Sequence, residues 1–297
     1  VTTMTATMRW AAAGLVVGML VACGGGDSSA PATTTTSDTS EVSRPEALSP
    51  APLADTWWKP ALTDTWQIQL TGTLNTSYNV NIYDIDLFDT STTKIASIKA
   101  QGRRVICYFS AGSSEDWRDD FDLFTEADMG EPLDGWEGER WLDTRSTNVR
   151  SIMAARLDLA KSKGCDAVDP DNVDGYTNDT GLPLTAATQL DYNRWLATQA
   201  HARGLAVGLK NDIDQLSQLA ASHDFAVNEQ CHQYNECDGY TAFTSLGKPV
   251  FNIEYASKYV NNTNDARTKM CAKSATLKLS SLVLALALND SRRITCN

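Results

Sequence analysis

Histidine is scarce: the 297 residues hold three, His201, His223 and His232. None lies in an HExxH pattern and no two cysteines are spaced CxxC, so the sequence argues against a zinc site. Neither a metal nor a cofactor is expected. No GxGxxG or phosphate-binding loop follows an apolar run, which removes the usual nucleotide-binding folds. Basic residues are also in deficit, 25 Lys and Arg against 37 Asp and Glu, a net charge of −12. Such a surface disfavours nucleic acid and other polyanions and attracts cationic ligands.

The N-terminal apolar run, residues 10–22, is too short to cross a bilayer but has the length of a signal-peptide core, and Arg9 precedes it. It ends Leu20-Val21-Ala22-Cys23-Gly24, which is similar to a bacterial lipobox. The expectation is therefore a signal peptide over 1–22 and lipidation of Cys23, with Gly24 favouring the outer membrane. Residues 23–54 are rich in Ser, Thr and Pro and poor in large apolar side chains, the composition of a tether spanning on the order of 30 Å. One globular unit, 55–297, remains. A monomer at the cell envelope, lipid-anchored or secreted, touching membrane only through its anchor, is expected. Six cysteines follow Cys23, which in an exported protein reads as three disulfides. The expected pairs are Cys231 with Cys237, Cys107 with Cys165, and Cys271 with Cys296.

Apolar or β-rich runs recur at 66–70, 80–85, 104–109, 167–169, 205–209, 225–228, 250–255 and 282–288. Helical patterns at 149–163, 186–203 and 214–222 lie between several of them, with Gly164 and Gly204 placed as C-caps. Near-continuous apolar strands alternating with helices imply a parallel sheet covered on both faces. Eight such strands fit an α/β fold of the (β/α)8 TIM-barrel type, and a doubly wound open sheet is the alternative.

In a barrel the active site collects at the C-terminal ends of the strands. Those ends carry Gln67 and Gln69, Tyr83, Asp84 and Asp86, Tyr108 and Ser110, Lys210-Asn211-Asp212, Asn228-Glu229-Gln230, and Glu254-Tyr255. The fourth run ends in Asp169-Pro170-Asp171-Asn172-Val173-Asp174, three carboxylates and an amide within six residues. Asp169 and Asp171 are two apart and share one side of an extended segment. Carboxylates this close repel unless a cation, a proton or hydrogen bonds compensate. Aromatic residues at 57, 58, 136 and 141, all tryptophan, complete the make-up of a sugar-binding cleft, in which indoles cover sugar faces and carboxylates and amides hold hydroxyls. Glycosidic cleavage needs two carboxyl groups. Asp169, Asp171 and Glu229 are candidates, and spacing does not rank the two aspartates.

The chain resembles glycoside hydrolase family 114, the endo-α-1,4-polygalactosaminidases. The resemblance rests on Trp66-Gln67-Ile68-Gln69-Leu70, Tyr83-Asp84-Ile85-Asp86, residues 105–112, Trp141-Leu142-Asp143, residues 168–174, Gly208-Leu209-Lys210-Asn211-Asp212, Val227-Asn228-Glu229-Gln230-Cys231 and Ile253-Glu254-Tyr255. It implies a (β/α)8 barrel that cleaves within α-1,4-linked, partly deacetylated galactosamine chains without a metal. It also implies Asp171 as nucleophile and Glu229 as acid/base, with Asp169 the fallback for the first role. The partner is then a cationic amino-sugar polysaccharide. Asp86, Asp174, Asp212 and Glu254 are expected to line an acidic cleft, with Asp169, Asn172, Asn211, Tyr83 and Tyr108 also contacting substrate. Lys210 either holds a neighbouring carboxylate ionised or pairs with Asp212. Alternatives are a glycosidase for another amino-sugar polymer, a carbohydrate-binding lipoprotein without catalysis, or a structural envelope protein.

Overall fold

The computed structural model describes residues 57–296. The expected signal peptide, Cys23 and the tether over 23–54 lie outside them. In chain order the strands are β1 (Trp66–Gln69), β2 (Ile82–Asp86), β3 (Arg104–Ser110), β4 (Ser113–Glu115), β5 (Met129–Pro132) and β6 (Glu139–Leu142). They continue with β7 (Ala167–Asp171), β8 (Ala206–Lys210), β9 (Phe225–Glu229), β10 (Val250–Glu254), β11 (Leu279–Leu284) and β12 (Arg293–Thr295). The longer helices are α1 (Thr92–Lys99), α2 (Thr147–Lys163), α3 (Ala186–Ala202) and α4 (Ala266–Leu277).

The main sheet runs β1-β2-β3-β7-β8-β9-β10-β11-β12, and every pair up to β11 is parallel. Alternate side chains sort into two layers, as the two-residue period of a strand requires. Trp66, Ile82, Ile106, Ala167, Ala206, Phe225, Phe251 and Leu282, one from each of the eight parallel strands, share a single buried cluster. Only a sheet curled onto itself brings strands so far apart in order into one interior. The intervening residues, among them Ile85, Cys107, Val168 and Leu209, pack outward with Ile98, Leu157 and Leu196 of the first three helices. This is the expected TIM-type barrel.

Its seam differs from a continuous barrel. Among the described residues no ladder joins β11 or β12 to β1. Instead the Trp66 indole donates to the Ser280 carbonyl (3.0 Å), and Arg293 of β12 donates to the Trp66 carbonyl (3.1 Å) and the Gln67 side chain (2.5 Å). Antiparallel β12 occupies the edge of β11 where the closing partner would pair. The run expected at 282–288 is a strand only to Leu284; Leu288 instead accepts the Leu70 N–H (3.0 Å) in the seam.

Local chemistry explains the helix ends. Ser146 caps α2 through the Asn148 and Val149 N–H groups, and Gly164 ends it in the left-handed conformation (φ 88°). The helix expected at 214–222 is reduced to a 3-10 turn, Ile213–Gln215, running into Leu216–Leu219. All three expected disulfides are formed. One feature is absent from the sequence expectation: residues 113–142, between β3 and α2, build a separate antiparallel sheet in the order β4-β6-β5.

Candidate active site

The interior parity of each strand continues to its C-terminal end. Ile82 and Asp84 lead to Asp86, Ile106 to Tyr108, Ala167 and Asp169 to Asp171, Ala206 to Lys210, Phe225 and Val227 to Glu229, and Phe251 and Ile253 to Tyr255. Apolar positions fill the barrel and polar ones form its upper layer. A cavity of about 510 Å³ opens above them and is lined in part by Tyr108, Asp171, Lys210 and Glu229.

Lys210 is the hub of the floor. Its ammonium lies 3.3 Å from Asp171 Oδ2, 3.4 Å from Asp169 Oδ2 and 3.9 Å from Glu229 Oε2. Burial alone would lower its pKa, but the charges of Asp169, Asp171 and Glu229 outweigh that and hold it well above the usual lysine value. The separation of the Asp171 and Glu229 oxygens is thus bounded by two short ion-pair distances, which suits carboxyl groups on either side of one glycosidic bond.

A phenol holds each of these two carboxylates. Tyr108 donates to Asp171 Oδ2 (2.8 Å), and Tyr255 donates to Glu229 Oε1. Burial, reinforced by the adjacent carboxylate charge, raises both phenol pKa values well above the ordinary tyrosine value, so both stay donors. Asp171 Oδ1 also accepts the backbone N–H of Asn172 (2.7 Å).

The chain turns away sharply after each of these strands. Asn172 (φ 59°), Asn211 (φ 47°) and Gln230 (φ 68°) immediately follow Asp171, Lys210 and Glu229 in the left-handed region, where asparagine is favoured among non-glycine residues. Asn211 then accepts the Glu229 N–H through its Oδ1 (2.9 Å), tying the end of β9 to that of β8. Gly112 is required for close approach: a Cβ there would lie 1.7 Å from the Asn172 carbonyl oxygen.

Beneath the floor, Asp169 is fully buried, with Oδ1 unbonded and its pKa pushed up to about 6 by burial, with Lys210 opposing and Asp171 adding to the shift. Asp84 is buried with neither oxygen bonded, and burial plus the Asp169 charge raises it well above the carboxylate range. A carboxylate cannot stay ionised there without a partner.

The other expected residues divide. Asp174, Asn172 and Asn211 line the cavity; burial, then the Asp171 charge, pushes Asp174 up to about 6. Asp86 also lines it but is held by Arg118 through two bonds (2.7 and 3.1 Å) and by the Phe88 and Asp89 N–H groups, so its charge is already matched. Asp169 lies below the cavity. Tyr83 and Glu254 do not reach it, because they occupy the outward parity of their strands. The Tyr83 hydroxyl donates to the Tyr78 carbonyl (3.1 Å), and Glu254 accepts the His232 N–H (2.8 Å). Asp212 is buried behind the cavity, where it accepts from Asn193 (2.9 Å), and burial plus the Asp174 charge pushes it up to about 7. Lys210 makes no ion pair with Asp212; its partners are the floor carboxylates.

Of the tryptophans, only Trp136 of those expected in the cleft lines the cavity, beside Trp117. Trp141 is buried against Gly175. Trp57 stacks on His201 (centroids 3.9 Å apart) and donates to Asp224, which precedes β9, so it sits at the opposite end of the barrel. Trp58 covers the interior cluster near Arg104, where β3 begins. Sequence reasoning missed Tyr255 as a site residue, although it continues the parity of Phe251 and Ile253. Cys231, His232 and Cys237 lie close together, but both sulfurs are bonded in a disulfide and are not thiolate ligands.

A TIM-type barrel with two carboxylates facing one lysine at the strand ends defines a glycosidase-like site. Residues 47–297 match the Glycoside-hydrolase family GH114 profile, and the chain belongs to that family of hydrolases. It is 47% identical, with a TM-score of 0.76, to the crystal structure of Aspergillus fumigatus Ega3 in complex with galactosamine, over 80% of this chain and 97% of that one. The glycoside hydrolase domain of PelA from Pseudomonas aeruginosa shares the fold (TM-score 0.61, 14% identity, 78% and 98% coverage). An uncharacterized protein of Deinococcus radiodurans is 25% identical over 272 residues, 81% of this chain and 86% of that protein.

Proposed function

We propose that this hydrolase cuts internally within α-1,4-linked galactosamine chains, with Asp171 as nucleophile and Glu229 as acid/base. The observation that carries the assignment is the single ammonium of Lys210, 3.3 Å from Asp171 and 3.9 Å from Glu229, at the floor of an open cavity. The galactosamine bound in the 47%-identical Ega3 structure supports the choice of sugar.

In this mechanism Asp171 attacks the anomeric carbon as the glycosidic C–O bond breaks, and the leaving oxygen takes the Glu229 proton. Glu229 then removes a proton from water, which displaces Asp171 and releases the sugar with retained configuration. Lys210 and the Tyr108 phenol pair with the attacking carboxylate and orient it. Tyr255 holds Glu229 Oε1, leaving Oε2 for the leaving group. Asp174 is the cavity-lining carboxylate placed to accept a substrate ammonium, a charge-assisted bond. An anchor on Cys23 would present this cleft at the cell envelope; that part of the proposal rests on the lipobox residues alone.

Product sizing tests the reading. Soluble deacetylated α-1,4-galactosamine chains should yield oligomers of intermediate length, and chitosan, of opposite linkage and epimer, should remain intact. Release of monomer alone, or equal cleavage of chitosan, would contradict it.

A further inference from the structure

The charges lining the cavity are unevenly matched. Arg118 pairs with Asp86 (2.7 Å) and with Glu115 (2.8 Å), and Lys210 serves Asp171 and Glu229. Glu139, on β6 of the inserted sheet, also lines the cavity, yet among the described residues no basic side chain lies within ion-pair distance of it. Its Oε2 accepts from Ser113 Oγ (2.6 Å), and no other described group donates to the carboxylate. A poorly exposed carboxylate with a single neutral donor is under-compensated. Burial accordingly pushes its pKa up to about 7; the Ser113 hydrogen bond opposes that shift, and the charges of Glu115 across the ladder and of Asp171 add to it.

Two indoles line the same cavity as this carboxylate. The Trp136 carbonyl accepts the Glu139 N–H (3.2 Å), and the Trp117 ring lies against Gly138, where a Cβ would stand 3.0 Å from Cζ3. Gly138 has φ 90°, so both its conformation and its missing side chain let Trp117 pack on the backbone just before Glu139. Trp117 and Trp136 are about half exposed, 52% and 53%, and both line the cavity. Exposed indoles in one cavity with an unmatched carboxylate combine the two contacts an amino sugar offers: a C–H face for stacking and an ammonium for charge-assisted hydrogen bonding.

We infer that Glu139, with Trp117 and Trp136 of the same cavity, forms an ammonium-reading subsite that selects unacetylated over N-acetylated sugar units. The inference rests on the galactosamine reading above and adds a specificity determinant outside the Asp171–Glu229 pair. An N-acetyl group carries no positive charge and cannot match Glu139, so the preference at this subsite comes from its carboxylate and not from the indoles, which stack on either sugar. Glu139 is also joined to the floor: Asn172 Nδ2 donates to Ser110 Oγ (2.9 Å) and Ser113 Oγ (3.1 Å), the two hydroxyls are 2.5 Å apart, and Ser113 donates to Glu139. A purely positioning role through that chain would slow turnover on every substrate alike, whereas a subsite alters discrimination.

The test compares binding of deacetylated and fully N-acetylated galactosamine oligomers by calorimetry, using Glu229→Gln protein so that the ligands survive, with and without Glu139→Gln. The added substitution should weaken binding of the deacetylated oligomer about tenfold, equivalent to about 1.4 kcal/mol, and leave the N-acetylated one unchanged. Equal weakening of both, or an unchanged ratio, overturns the inference. Should the double variant fold poorly, Glu139→Asp in Glu229→Gln protein carries the same test: withdrawing the carboxylate by one methylene must lower the ratio, and an unchanged ratio overturns the inference too. Turnover by the unaltered enzyme is scored separately: selective binding without cleavage of the deacetylated chain would defeat the proposed function and leave the subsite standing.

Discussion

Asp166 and Asp224, at the lower end of the barrel, and Asp84 and Asp169, under its mouth, are all buried aspartates on or beside parallel strands. Their surroundings are opposite. Asp224 accepts from Trp57, Lys59, His201 and the Val207 N–H, all within 2.8–3.0 Å. Burial would raise its pKa, but these donors hold it at about 2. Asp166 is similarly served by Arg104, Lys99 and the Val105 N–H. At the mouth, Asp84 has no donor, Asp169 shares one lysine with two other carboxylates, and their pKa values move up instead. The lower end spends polar groups on closing the fold. The upper end leaves them unmatched, which costs stability and keeps charge and protons available for a substrate.

Lys210→Met attacks the upper end where it is most dependent on one group. It leaves Asp169, Asp171 and Glu229 without their cation and should cost about 3–5 kcal/mol at pH 8 by denaturant unfolding. The loss should shrink toward pH 5, where the carboxylates can take up protons. A loss that does not vary with pH would mean Lys210 acts by packing. Asp224→Ala attacks the lower end. It strands the buried Val207 N–H and the Trp57 indole and should cost about 2–3 kcal/mol while leaving turnover per folded molecule unchanged. Reduced turnover at full folding would show that the two ends are coupled.

Acidity sharpens the contrast further. Asp169 and Asp174 sit at about 6, and Glu139, Asp212 and Glu254 at about 7, all through burial first. These groups bind protons in the fold that the unfolded chain has released, so their contribution is fully present near pH 4 and is lost as pH rises through 6 and 7. His223 and His232, lowered to about 4 by burial, act in the opposite sense between 6.5 and 4 but are fewer. The thermal midpoint should therefore be higher at pH 5.5 than at pH 8; the reverse order would contradict the placement of these acids. The smallest effect is expected for Asp84→Asn, which replaces a neutral acid by a neutral isostere and should change stability by less than about 1 kcal/mol.

The sequence made the upper layer legible because strand ends of a parallel barrel can be found from apolar runs, and Asp171, Lys210 and Glu229 each end one. Where parity was not applied, the reading failed: Tyr83 and Glu254 were expected in the cleft but alternate outward, while Tyr255 alternates inward. Trp57 and Trp58 precede β1 and therefore sit at the end of the barrel opposite the mouth. The inserted sheet was not foreseen because its strands are three and four residues long, too short for periodicity to show. Its signal was the Asp134-Gly135 pair, a hairpin-turn dipeptide between the two segments that form β5 and β6. Glu139 was missed with it.

The central claim is that Asp171 and Glu229, and not Asp169, perform the chemistry. Turnover of a soluble deacetylated galactosamine chain by Asp171→Asn, Glu229→Gln and Asp169→Asn tests it most directly. Asp171→Asn and Glu229→Gln should each fall at least about a hundredfold while still binding the chain, and Asp169→Asn should keep the larger part of its activity. An active Asp171→Asn beside an inactive Asp169→Asn would move the nucleophile two residues back, and near-normal rates in both would contradict the hydrolytic role given to the end of β7.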